Sequence, residues 1–115
     1  MRHQRKIRKM SRNLAQRKAL VRSLAISFFL HKSIETTESK AKILKPVVER
    51  CITRAKQGDL AGIRLIIATL GTDKVVTLIK ETAEHCKDRP GGYTRIIHLM
   101  PRLGDNASMV ILKLV

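Results

Sequence analysis

The first 34 residues contain no acidic side chain, yet they carry ten basic ones: Arg2, Arg5, Lys6, Arg8, Lys9, Arg12, Arg17, Lys18, Arg22 and Lys32. From Glu35 onward, 81 residues hold 14 Lys and Arg against 9 Asp and Glu. A dense positive arm therefore precedes a nearly balanced body. Over 115 residues the formal net charge reaches +15, with a pI near 10.8. At that charge a small free domain repels itself, which works against the compact state. The pattern implies a polyanionic partner.

Three polyanions compete: nucleic acid, an anionic membrane surface and an acidic protein. The longest apolar run, residues 24–30, is interrupted by Ser27, and it falls far short of the ~20 residues needed to span a bilayer. A secretory signal needs an apolar stretch after its basic region, but Arg and Lys continue where that stretch should begin. A mitochondrial transit peptide is also rich in Arg and poor in acid; against that reading, the basic segment runs directly into a helix that the fold needs. Cys51 and Cys86 lie 35 residues apart without a CxxC or paired-His pattern. They read as two reduced, buried small hydrophobes, and no metal site is expected.

The length suits one domain, and 43% hydrophobic residues can supply its core. Residues 1–10 hold one Ile among charged and polar side chains, so they form no core and are expected to order only against a partner. Ser11 is expected to cap a helix running to about His31. Its apolar stripe is Leu14, Val21 and Phe28 at heptad spacing, joined by Leu24 and Ala25. Residues 33–36 read as a short strand. Thr37 is expected to cap a second helix, supported by Ala41, Leu44, Val48, Cys51, Ile52 and Ala55 and ended by Gly58. Pro46 predicts a kink over residues 42–46, since it removes one backbone donor. Asp59 caps a third helix to Leu70, and Thr72 or Asp73 caps a fourth, ending near Cys86.

Residues 87–92 break the pattern. Residues 93–100 and 108–115 are rich in apolar and β-branched side chains and flank a Gly-, Asp- and Asn-bearing turn, so they form a C-terminal hairpin. The expected order is α-β-α-α-α-β-β: an α+β, two-layer helix/sheet domain over residues 11–115, with a basic N-terminal extension over residues 1–10.

Catalytic constellations are absent from this reading. There is no GxxxxGK[ST], GxGxxG or GxSxG. The nine carboxylates mostly sit at caps (Glu38, Asp59, Asp73) or on helix surfaces (Glu81, Glu84). His98, on a strand, reads as a packing residue. The chain is expected to be no enzyme and to use no cofactor or small-molecule substrate. The candidate site is instead the basic arm and first helix, including Arg5, Lys6, Arg8, Lys9 and Lys18; Arg pairs bidentately with phosphate. With 3% aromatic residues, base-stacking modules are disfavoured. What remains is recognition of shape and backbone. A second basic cluster, Arg89, Arg95 and Arg102, lies around a double glycine that lets backbone approach phosphate closely. A nucleoid-type DNA-binding protein and a membrane-surface module led by the first helix stand as rival readings.

An ordered set of short motifs adds to this: MRH at the start, RN at 12–13, RKALVRSLA at 17–25, TT at 36–37, KAK at 40–42, ITRAK at 52–56, GGYTRI at 91–96 and GDNA at 104–107. Together they resemble the bacterial large-subunit ribosomal protein family numbered seventeen, over essentially the whole chain. The resemblance implies a structural protein of the large ribosomal subunit, cytoplasmic and ribosome-bound. It implies binding to large-subunit ribosomal RNA and a position near the polypeptide exit region beside other ribosomal proteins, away from any membrane. It carries RNA contacts onto Arg2, His3, Arg12, Asn13, Arg17 and Arg22, and onto Gly92, Tyr93 and Arg95. Pro46 departs from the family's unbroken second helix. Residues 57–88 match the family poorly and receive no RNA contact.

Overall fold

The computed structural model describes residues 8–115. Its first helix, α1 (Leu14–His31), is opened by Asn13 and not by the expected Ser11. Met10 and Ser11 both take left-handed backbone angles, with φ of 52°, whereas a helix-capping residue needs an extended backbone. Asn13 has one, and its side chain accepts from the Gln16 N–H at 2.9 Å. Gln16 answers by accepting from the Asn13 N–H, closing a capping box.

The apolar stripe of α1 is buried over only half its length. Ala25, Phe28 and Phe29 are fully buried, with the two rings edge-to-face at 5.5 Å. Leu14, at the other end, is 58% exposed. Heptad spacing predicts which side of a helix is apolar, but the body is too short to cover the first turns. The C-terminal half of α1 is anchored and the basic half projects along the surface.

Strand β1 (Ser33–Thr37) follows, then α2 (Glu38–Gln57), continuous through Pro46 and stopped by left-handed Gly58. The Thr37 side chain makes no capping bond; the start of α2 is held instead by the Glu38 N–H donating to the Ser108 carbonyl at 2.9 Å. Helix α3 (Leu60–Leu70) is capped by Asp59, which accepts from the Gly62 N–H, and ends at left-handed Gly71. Asp73 precedes α4 (Lys74–His85). Strands β2 (Thr94–His98) and β3 (Met109–Leu114) complete the chain.

The sheet order is β1-β3-β2, antiparallel throughout. Burial alternates along β3: Val110 and Leu112 face the helices, and Ile111 and Lys113 face outward. Helix α2 backs all three strands, while α1, α3 and α4 pack around it. This is the expected α+β two-layer fold, with its core built from all four helices and the inner sheet face. His98 is a correction: it is exposed at the end of β2, paired with Val110, and is not a buried packing residue. Cys51 and Cys86 are buried free thiols, and burial raises the pKa of both.

Candidate nucleic-acid interface

The basic half of α1 gathers charge without neutralising it. Among the described residues the ion pairs are Lys42–Glu38 and Arg102–Asp105. No carboxylate among them pairs with Arg8, Lys9, Arg12, Arg17, Lys18 or Arg22. Arg12, Arg17 and Arg22 donate instead to backbone carbonyls. The Arg12 guanidinium donates to Met10 at 3.0 Å, and that of Arg17 to the carbonyl of Arg12 at 3.4 Å. Such bonds orient a guanidinium while leaving its charge intact. Arg2, His3, Arg5 and Lys6, expected in the same interface, lie outside the described residues. Asn13 is present, but its amide oxygen is committed to the helix cap.

Among the described residues, Arg22 is the cation of this row that reaches a different helix. Its Nε donates to the Thr69 carbonyl at the end of α3, 3.3 Å away. The guanidinium also lies against Gly71, where a Cβ would come within 3.3 Å of it. Arg22 thus borders a groove of about 550 Å³ between α1, α2 and the end of α3. Arg8, Arg17, Lys18 and Arg54 line it as well, with an apolar floor that includes Val21, Val47 and Leu65. Sequence reasoning did not single out Arg54. It lies on α2, far from the arm in sequence, and only the packing of α1 on α2 brings it to the same groove.

The second basic cluster divides. Gly92 takes a left-handed φ of 61° in an exposed turn, with no atom within 4 Å of where a Cβ would stand. That turn can meet a backbone closely, as expected. Tyr93 cannot: it is only 2% exposed, with its ring in the core and its hydroxyl within 3.3 Å of the Lys56 ammonium. Lys56 lies 5.0 Å above the ring and also donates to the Arg89 carbonyl. The pair therefore pins the turn from beneath, so Tyr93 supports an interface without forming its surface. Arg95 is exposed on the outer face of β2, beside Lys113 of β3.

Arg102 is otherwise engaged, since its guanidinium grips Asp105 through contacts of 3.1 and 2.5 Å. This bond, with help from the Ala107 N–H, lowers the Asp105 pKa to about 2. A neutral ion pair replaces the expected cation at the β2–β3 tip. Among the described residues no helix is long and apolar enough to cross a membrane.

The family model described as Ribosomal protein L17 matches residues 20–115. Three curated relatives, each named large ribosomal subunit protein bL17, align over the whole of this chain. That of Magnetococcus marinus is 44% identical over 117 residues, which is 93% of its own length. That of Syntrophotalea carbinolica is 47% identical over 116 residues, 75% of its length. That of Flavobacterium johnsoniae is 46% identical over 116 residues, 71% of its length.

Proposed function

The chain belongs to the ribosomal protein L17 family, and from that premise we propose that it binds large-subunit ribosomal RNA through its basic arm and the first half of α1. Membership makes it a structural constituent of the large ribosomal subunit, associated with that subunit's RNA and proteins. The finer reading concerns which residues do the binding. It rests above all on the row of Arg12, Arg17, Lys18 and Arg22, left without a carboxylate partner among the described residues, its three guanidinium groups oriented by carbonyls. Phosphate is the ligand such a row suits, because each guanidinium can offer a planar, bidentate donor pair.

In this reading residues 1–10 form an extension and residues 11–115 the folded domain. Arg2, His3, Arg5, Lys6, Arg8 and Lys9 neutralise phosphates where RNA segments converge, and the arm orders as it binds. Anchoring of α1 through Phe28 and Phe29 fixes the angle at which its cations meet the RNA. Gly92 and Arg95 form a second, smaller contact on the opposite end of the chain. The protein works in the bacterial cytoplasm as part of the particle, near the polypeptide exit region.

Deleting residues 1–10 tests the reading. The truncated chain should keep the circular dichroism and cooperative melting of the full chain, because the Asn13 capping box and the core are untouched. It should fail to enter large subunits in a strain that lacks the full-length copy. Incorporation at normal occupancy would contradict the arm's role. Competition at matched salt should favour large-subunit RNA over duplex DNA; the reverse order would identify a DNA-binding protein.

A further inference from the structure

The two-layer fold leaves the outer face of the sheet without a covering layer, and part of that face is apolar. An antiparallel sheet with one solvated side normally presents polar residues there. Here the register aligns Glu35, Ile111 and Ile97 in one row across the three strands. In the next row Thr37 stands beside Met109. Pairing continues past β2 through the Leu99 N–H, which donates to the Met109 carbonyl at 2.9 Å. Strand alternation then sets Leu99 on the same face as Ile97. Beyond Leu99, Met100 is 87% and Leu103 97% exposed. The tip that carries them is a defined structure. The Arg102 N–H donates to the Ala107 carbonyl and the Asn106 N–H to the Arg102 carbonyl, both at 3.0 Å. The Arg102–Asp105 pair locks the same turn.

We infer that this face, from Ile97 and Ile111 to Met100 and Leu103, is a docking surface for a different protein, one that brings apolar side chains and a nearby carboxylate. Exposed apolar side chains on an uncovered sheet face and at the tip beside it mark interaction sites. Charge selects among the possible occupants. RNA needs cations, but the centre of the patch has none and the tip cation is already held by Asp105. A second copy would bring +15 against +15, which opposes self-association. At the far end of the patch Lys113 stands directly opposite Arg95, the cation proposed above to meet RNA. Among the described residues Lys113 has no ion-pair partner, and a carboxylate from the docking protein would neutralise it. The surface is distinct from α1 and its groove, so it does not depend on the RNA contacts proposed there.

Photo-cross-linking in cells tests the inference. The probe is p-benzoylphenylalanine placed in the full chain at position 103, and in a second variant at position 97. Position 103 is so exposed that the substitution cannot disturb the core. The expected product is an adduct with one other protein, mapped to a segment bearing apolar residues and an Asp or Glu within a few positions. Leu103→Asp combined with Ile97→Lys should reduce, by roughly tenfold, the yield of that adduct from a probe at position 100. Adducts to RNA, adducts to a second copy, adducts to a segment without those features, or no adduct at all would each overturn the assignment.

Discussion

At the scale of single residues, the interface depends on backbone geometry as much as on charge. Gly71 ends α3 in the left-handed region, with φ of 75°, and its missing Cβ leaves room for the Arg22 guanidinium. Gly71→Ala should destabilise the domain by about 1–2 kcal/mol, the penalty of a left-handed non-glycine residue, measured by urea unfolding. It should also displace Arg22, which phosphate binding would register separately. Asp105 makes the opposite point about Arg102. Its folded pKa is about 2, against an ordinary value of 3.8. A lowered pKa means that the ion pair stabilises the tip fully above pH ~4 and loses that contribution as the pH falls from ~4 toward ~2. The Ala107 amide resonance should titrate over that window, and Asp105→Asn should abolish the titration.

The residues that sequence reading placed differently have separate causes. Tyr93 stands in a glycine turn full of basic neighbours, and nothing local says that Lys56, 37 residues away, rises to meet its hydroxyl. Arg102 and Asp105 were close enough in sequence to pair. Left-handed Gly104 and Asn106, with φ of 103° and 54°, belong to the turn that carries Asp105 back to the guanidinium.

At the scale of elements, order and type were legible because the punctuation is strong. Asp59, Gly58 and Gly71 act through their own neighbours, so capping chemistry predicts them correctly. Boundaries that depend on distant contacts were less so. The start of α2 is held by Ser108 of the last loop, whose hydroxyl also donates to the Glu38 carboxylate at 3.0 Å. Together with Lys42, this keeps the Glu38 pKa below its usual value. The division of α1 into an anchored and a projecting half was likewise hidden, since a heptad stripe does not reveal how far the body extends beneath it. This division has a dynamic consequence. In the free chain, backbone amides in the first turns of α1 should exchange with solvent much faster than those around Ala25–Phe29, because local opening there exposes little buried apolar surface. Adding large-subunit RNA should slow exchange in the first half specifically, as read by hydrogen–deuterium exchange. Equal protection of both halves in the free chain would contradict the division.

At the scale of the whole molecule, a lopsided charge is superimposed on an ordinary small α+β body. The body supplies a core of helices on a three-stranded sheet, and the charge collects at one end of α1 and in the residues before it. The proposed function uses both parts: a rigid body to fix direction, and a cationic edge to meet phosphate. Binding through phosphates releases counterions, so affinity must fall steeply with salt, and each phosphate contact contributes roughly one unit to the slope of log affinity against log salt concentration.

The most direct measurement compares that slope for the full chain and for Arg12→Gln/Arg17→Gln/Lys18→Gln/Arg22→Gln, each bound to large-subunit RNA across a potassium chloride series. The variant keeps the capping box and the buried half of α1, so its fold should be unchanged by circular dichroism. Its slope should be shallower by about 3–4 units. An identical slope in both proteins, or binding indifferent to salt, would contradict the claim that these side chains meet phosphate.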